Sequence, residues 1–173
     1  ATISGTTSVC AGSPSPNIVF ANPQTVDITV TYTINGVSQT INVGNNSSSS
    51  VAASTTVSGS FVYNLVSVAY QSNPNCSNTL SGSATVTINP LPSSPSLVTT
   101  QPNCALQTGT ITINSVAGET YSFDGGSYSG TLVYSGLAQG STHTVSSMNT
   151  FGCISATSST VTIIPLVTNT WTT

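Results

Sequence analysis

Between residues 26 and 43 the chain alternates apolar and polar side chains strictly enough to define a strand pair on its own. Val26, Ile28, Val30, Tyr32 and Ile34 interleave with Asp27, Thr29, Thr31 and Thr33, and Asn35 and Gly36 follow. Asn-Gly accepts the positive φ angles of a type I′ turn, whose twist suits the flanking strands of a hairpin. Folding residues 37–43 back across that turn sets Ile34 against Val37, Tyr32 against Gln39, Val30 against Ile41 and Ile28 against Val43. All but Gln39 place an apolar group on one face, and a slip of one residue would turn that face to water.

The same period of two recurs along the chain, over residues 50–57, 61–70, 81–88, 109–116, 120–123, 131–134, 141–148 and 158–164. Helical periodicity is absent, so the expected class is all-β, with antiparallel strands and short turns. Residues 89–96 read Asn-Pro-Leu-Pro-Ser-Ser-Pro-Ser. Prolines lack an amide donor, so this stretch is expected to be a stiff extended linker and not a strand. It separates a module at 1–92 from a shorter one at 93–165, with a tail at 166–173.

The two parts rhyme. Each has a cysteine near its start, Cys10 and Cys104, and a second one, Cys76 and Cys153, before a closing strand. Those closing strands read Thr85-Val86-Thr87-Ile88 and Thr160-Val161-Thr162-Ile163. Four cysteines allow three pairings, and the repeat favours Cys10 with Cys76 and Cys104 with Cys153. Each such staple would stabilise a thin-cored module by roughly 4 kcal/mol on chain-entropy grounds. The same usage points to an oxidising, extracytoplasmic setting.

Composition excludes several functions. Among 173 residues there is no Lys or Arg, one His, and only Asp27, Glu119 and Asp124 as acids, giving a net charge of -3. Without cations the chain cannot neutralise phosphates, so nucleic-acid binding and lysine-dependent phosphate loops drop out. Salt bridges to Lys or Arg, Schiff bases and lysine-to-asparagine isopeptide staples are equally impossible. No apolar run is long enough to insert into a membrane as a helix. The chain opens on Ala without a signal-peptide layout, as expected of a processed protein or an internal fragment.

Several stretches carry a family resemblance. Ala1 to Gly5, Val9-Cys10-Ala11-Gly12, Thr31 to Gly36, Tyr63 to Val68 and Gly82 to Pro90 resemble Ig-like repeats of large cell-surface proteins in gliding, type IX-secreting bacteria. Cys104, Gly109 to Ile113, Tyr121 to Gly126, Tyr134 to Gly140 and Asn149 to Cys153 are similar to the shorter gliding-motility adhesin repeat. The resemblance implies two tandem Ig-like antiparallel β-sandwich modules, each with one disulfide, in a non-catalytic adhesin or filament at the cell surface. Partners would be neighbouring copies or adjacent modules and possible surface glycans. It also implies that His143 fills a position where such repeats carry an inward-facing aromatic.

Candidate chemistry reads against that background. A Ser/His/acid triad built on His143 lacks a Gly-x-Ser-x-Gly elbow, so no catalytic residue is assigned. One histidine and four paired cysteines make no zinc set, and Asp124-Gly125-Gly126 reads as a hairpin turn rather than half a calcium loop. No metal or cofactor is expected. Thr-x-Thr runs such as Thr29-Val30-Thr31 and Thr85-Val86-Thr87 suit the solvent face of strands, with an ice- or glycan-binding array as the alternative. Trp171, with Tyr121 and Tyr128, could stack on sugars, as in a glycan-binding accessory module of a secreted enzyme, although packing between modules suits Trp171 better. Asn45, Asn46 and Asn75 stand in glycosylation sequons. The tail, through Leu166, Val167 and Trp171, is a candidate for contact between modules or for adding a strand to a neighbour's sheet.

Overall fold

A computed structural model describes residues 1–166 of the chain. Among them all regular elements are β-strands. The chain divides into a first unit, Ala1–Pro90, and a second that begins at Leu91.

The first unit contains β1 (Thr2–Ser4), β2 (Thr7–Cys10), β3 (Asn17–Asn22), β4 (Ile28–Ile34), β5 (Val37–Val43), β6 (Ser47–Ala52), β7 (Gly59–Tyr70), β8 (Ser77–Thr79) and β9 (Ser83–Asn89). A three-stranded sheet has the order β1-β3-β6, and a six-stranded sheet runs β2-β9-β7-β4-β5 with β8 beside β7. The opening of the chain therefore serves both sheets: β1 pairs antiparallel with β3, and β2 pairs parallel with β9. Gly5 makes the step between them at φ +115, with its α-carbon so close to Asn17 that a Cβ would lie 2.4 Å from the carbonyl oxygen. Only glycine fits such a crossing.

The β4–β5 hairpin has the register the alternation requires, from Ile28 opposite Val43 to Ile34 opposite Val37. Asn35 and Gly36 take φ of 47 and 88. The Asn35 side chain also accepts the Val62 N–H at 2.8 Å and donates to the Ser60 carbonyl at 3.1 Å, fastening the turn to β7. Inward residues of β4, β7 and β9 meet Ile18 and Phe20 of β3 in one apolar core. Phe20 and Tyr32 pack with ring centroids 4.7 Å apart, and Tyr63 lies 6.4 Å beyond Tyr32. Burying an aromatic of this size contributes about 1.5–3 kcal/mol.

The second unit contains β10 (Ser96–Thr100), β11 (Gly109–Asn114), β12 (Thr120–Phe123), β13 (Val133–Leu137), β14 (Thr142–Met148) and β15 (Ser159–Thr162). They form two three-stranded sheets, β10-β11-β13 and β12-β14-β15. Ile111, Ile113, Tyr121, Val145 and Ile163 are buried. Gly109 leaves room for Ile163, whose side chain would sit 2.7 Å from a Cβ there. The proline-rich residues 90–95 carry no strand.

The cysteine pairing differs from the one the repeat favours. Cys76 and Cys104 are exposed free thiols, whereas the cysteines in disulfide linkage are Cys10 and Cys153. Strand geometry explains why neither expected bridge forms. Cys10 pairs with Asn89 beside the Gly59 end of β7, and Cys76 bonds to Tyr70 at its other end. That strand has 12 residues, so the two cysteines stand on the order of 30 Å apart at about 3.3 Å per residue. A disulfide needs Cα atoms within roughly 7 Å. In the second unit Cys153 lies just past Met148, at one end of β14, while Gln101 of the Cys104 loop bonds to Thr162 and Ile164 near the other end. Similar sequence order of cysteines did not mean the same end of the sandwich.

Candidate functional site

Two features of the described residues carry recognisable chemistry: the outer face of the six-stranded sheet and a polar cluster at one end of β14. The sheet face follows from strand parity. Ile28, Val30 and Tyr32 point to the core, so Thr29, Thr31 and Thr33 point away, and Ser38, Thr40 and Asn42 of β5 lie opposite them. Asn64 and Ser67 of β7 continue the row, and Thr85 and Thr87 of β9 extend it further. A register shift between Thr31 and Tyr32 keeps both halves of β7 in phase. The result is a face mainly of hydroxyls and amides, which Val62 and Ala69 of β7 share, and none of these strand residues is charged. Thr29 already donates to the Asn42 side chain at 2.8 Å, so the face is cross-linked by its own hydrogen bonds.

The second feature joins three residues that are distant in sequence chemistry but adjacent in space. Asp124 follows β12 in the turn with Gly125, both at positive φ, and the Gly126 N–H closes the turn on the Phe123 carbonyl at 2.9 Å. This is the hairpin turn expected of Asp124-Gly125-Gly126. Asp124 Oδ1 accepts the Thr144 N–H at 2.8 Å, and Oδ2 lies 2.7 Å from His143 Nδ1. On the other side of the ring, His143 Nε2 lies 2.8 Å from Ser141 Oγ. Phe123 stacks on the imidazole at a centroid distance of 5.0 Å and on Tyr134 at 4.0 Å. His143 therefore occupies a half-buried position stacked on an aromatic ring.

Ser141, His143 and Asp124 reproduce the pairwise contacts of a hydrolytic triad, yet the proton inventory runs the other way. The Ser141 hydroxyl donates to the Ala138 carbonyl at 2.6 Å, and its amide points at the same oxygen. With its proton on the Ala138 carbonyl, the hydroxyl oxygen is placed to accept from Nε2, whereas a nucleophilic serine must donate to it. The carboxylate is likewise placed to accept from Nδ1, so the arrangement is fully served when both ring nitrogens carry protons. Burial pushes the Asp124 carboxyl up, but the hydrogen bonds from His143 and the Thr144 amide, with the imidazole charge, outweigh it and leave it below the usual value. His143 is 13% and Asp124 42% exposed, so the pair is partly wet and contributes modestly. The cluster acts as a clamp between the β12 turn, β14 and the β13–β14 turn.

The remaining candidates separate. Tyr121 is buried and its hydroxyl accepts the Val116 N–H at 2.8 Å, which removes it from any sugar platform. Tyr128 bonds to Ser146 at 2.9 Å. Leu166 is half-buried and its N–H donates to the Gln139 side chain at 2.9 Å. Val167 and Trp171 lie outside the described residues. Among the described residues no group of three or more His, Cys, Asp or Glu side chains could hold a metal ion. The Ser141-x-His143 spacing, on one side of a strand beside an acidic turn, is the signal by which the clamp could have been found in the sequence.

No family model and no curated protein match the chain. Among solved structures it is similar to the fibronectin(III)-like modules of Clostridium thermocellum CbhA, at 14% identity and a TM-score of 0.42, covering 95% of this chain and 93% of that one. It is also similar to the BSP domain of a biofilm associated protein, at 11% identity and a TM-score of 0.31, covering 97% of this chain but 30% of that one. A third is the Bacteroides ovatus mixed-linkage glucan utilization locus SGBP-B in complex with a heptasaccharide, at 16% identity and a TM-score of 0.31, covering 90% and 42%. The chain thus spans less than half the length of two of these three.

Proposed function

We propose that the chain is a non-catalytic structural and adhesive part of an extracellular cell-surface adhesin or filament, built as modules 1–92 and 93–165. The observation that supports this most directly is the uncharged, mainly Ser/Thr/Asn face of the six-stranded sheet. Such a face offers hydrogen bonds without electrostatic steering, which suits neutral polar partners such as surface glycans or an adjacent module. The involvement of Cys10 and Cys153 in disulfide linkage is in keeping with an oxidising location. Gliding motility and type IX secretion belong to the same reading. Surface attachment and glycan-array retention of the full chain test it, with Thr31→Lys and Thr40→Lys as face variants. Retention that the lysines abolish supports the face as the adhesive surface. A blank array with unchanged attachment in both variants overturns it.

A second reading is favoured by the edge of that sheet. β5 ends the strand order and its Val37 is exposed, yet no lysine guards it. In this reading residues 166–173, with Leu166, Val167 and Trp171, add a strand to a neighbouring copy and build a homopolymer. Unchanged assembly after deletion of residues 166–173 refutes it.

A further inference from the structure

We propose that the proton on His143 sets the direction of the Ser141 hydroxyl, and through it how firmly the turn at residues 138–141 holds residues 163–166. The device rests on hydrogen-bond direction. With both ring nitrogens protonated, Nδ1 serves the Asp124 carboxylate, Nε2 serves Ser141 Oγ, and the hydroxyl proton is free to hold the Ala138 carbonyl at 2.6 Å. Loss of one proton leaves a single N–H for two neighbours. The carboxylate takes it at Nδ1, because a bare nitrogen 2.7 Å from a carboxylate oxygen would oppose two acceptors. Nε2 then becomes an acceptor, and the hydroxyl of Ser141 must turn from Ala138 to serve it.

That reversal strips the turn of a side-chain bond and leaves it the longer Ser141 N–H contact to Ala138 at 3.2 Å. The turn matters because two segments hang on it. Gln139 donates to the Gln107 carbonyl at 3.0 Å and accepts the Leu166 N–H at 2.9 Å. Gly140 N–H holds the Ile163 carbonyl at 2.7 Å, and the Ile163 N–H returns to Ser141 at 2.8 Å. The turn between β13 and β14 is therefore the bracket that holds residues 163–166.

The electrical surroundings are simple enough for one proton to dominate. From β12 the ring meets Phe123 and Asp124, with the Tyr134 phenol of β13 behind Phe123. From β15 it meets Val161, with Thr160 and Thr162 alongside. Its own strand offers Thr144 and Val145, and the turn before it Ser141. Glu119 lies before the far end of β12, where Thr120 pairs with Met148, and Asp27 belongs to the first unit. Residues 167–173 contain no ionisable side chain, and the chain has no Lys or Arg. His143 and Asp124 thus form the sole possible side-chain pair of opposite charge in this neighbourhood.

The test is amide hydrogen exchange of the full chain by NMR through the range in which imidazoles change charge, about pH 5 to 8. Each rate is divided by its intrinsic rate at that pH, and the His143 ring is followed in the same samples. The expected result is a loss of protection at Gly140 and Leu166 of about 3- to 10-fold, the net worth of one hydrogen bond. Its midpoint should coincide with that of the ring. Ser141→Ala should abolish the step while the ring still titrates, and Ser141→Thr should restore it. Flat protection across the ring titration overturns the proposal, as does a step that survives in Ser141→Ala. Should Ser141→Ala fail to fold, the wild-type midpoints decide alone, and separate midpoints overturn it.

Discussion

Replacing Gly5 by Ala should cost the first unit far more than a methyl group's size suggests. The backbone there has φ +115, outside the small left-handed region that other residues tolerate, which costs about 1–3 kcal/mol. The new Cβ would also lie 2.4 Å from Asn17 O, a backbone atom that no rotamer change can move. Restoring ordinary contact requires β1 to retreat by about 1 Å. Its pairs with β3, Thr2 with Ala21, Ile3 with Phe20 and Ser4 with Val19, would loosen with it. At about 0.5–1.5 kcal/mol per hydrogen bond the total reaches about 3–5 kcal/mol. Gly12→Ala is the control, since Gly12 has φ +77 with nothing within 4 Å of a Cβ, and should cost about 1–2 kcal/mol. Urea denaturation of the full chain, with hydrogen exchange read on the β1 and β3 peptides, separates the two. Equal losses in the two variants would refute the crossing-point argument.

Other consequences follow from the second unit and the thiols. Asp124→Asn should flatten the acid limb of stability. A carboxyl held below its unfolded value stabilises above that value and loses the contribution as pH falls, so urea midpoints between about pH 5 and pH 2 should diverge from wild type. Midpoints that run parallel would exclude the clamp as a source of acid sensitivity. A maleimide should label Cys76 and Cys104 in the native full chain and reach Cys10 and Cys153 only after reduction. Labelling of Cys10 without reductant contradicts the structure. Tyr121→Phe should destabilise the second unit by about 1 kcal/mol, because the Val116 N–H loses its acceptor. Unchanged exchange at Val116 would show that water replaces the hydroxyl.

What the sequence disclosed and what it hid divide along physical lines. The β4–β5 register was legible because alternation and an Asn-Gly turn are local and mutually constraining. β3 escaped because Ile18-Val19-Phe20-Ala21 reads as a continuous apolar run and its third inward residue is Asn22. That asparagine is buried and satisfied, donating to the Val26 and Gly44 carbonyls and accepting the Gln24 N–H. A polar residue so served is inward for its bonds, not its hydrophobicity, and pattern reading cannot see the partners. β1 and β2 were too short to show a period, and their separation depends on how closely Gly5 passes Asn17.

The cysteine pairing and the clamp both escaped the sequence for the same reason. Repeat order predicts which residues recur, but bridging depends on which end of a strand a residue reaches, and the length of β7 decides that for Cys10 and Cys76. Asp124, His143 and Ser141 lie on a turn, a strand and a turn that the β12–β14 ladder brings to one end, so three residues read separately become one hydrogen-bonded unit. In an ordinary domain such a unit would be one polar contact among many. With Lys and Arg absent, His143 is the one side chain able to carry positive charge, and its proton cannot be replaced by a neighbouring cation. The composition that excluded phosphate chemistry thereby concentrates the pH response of the chain's cations in a single side chain. That side chain sits beside the turn that holds residues 163–166.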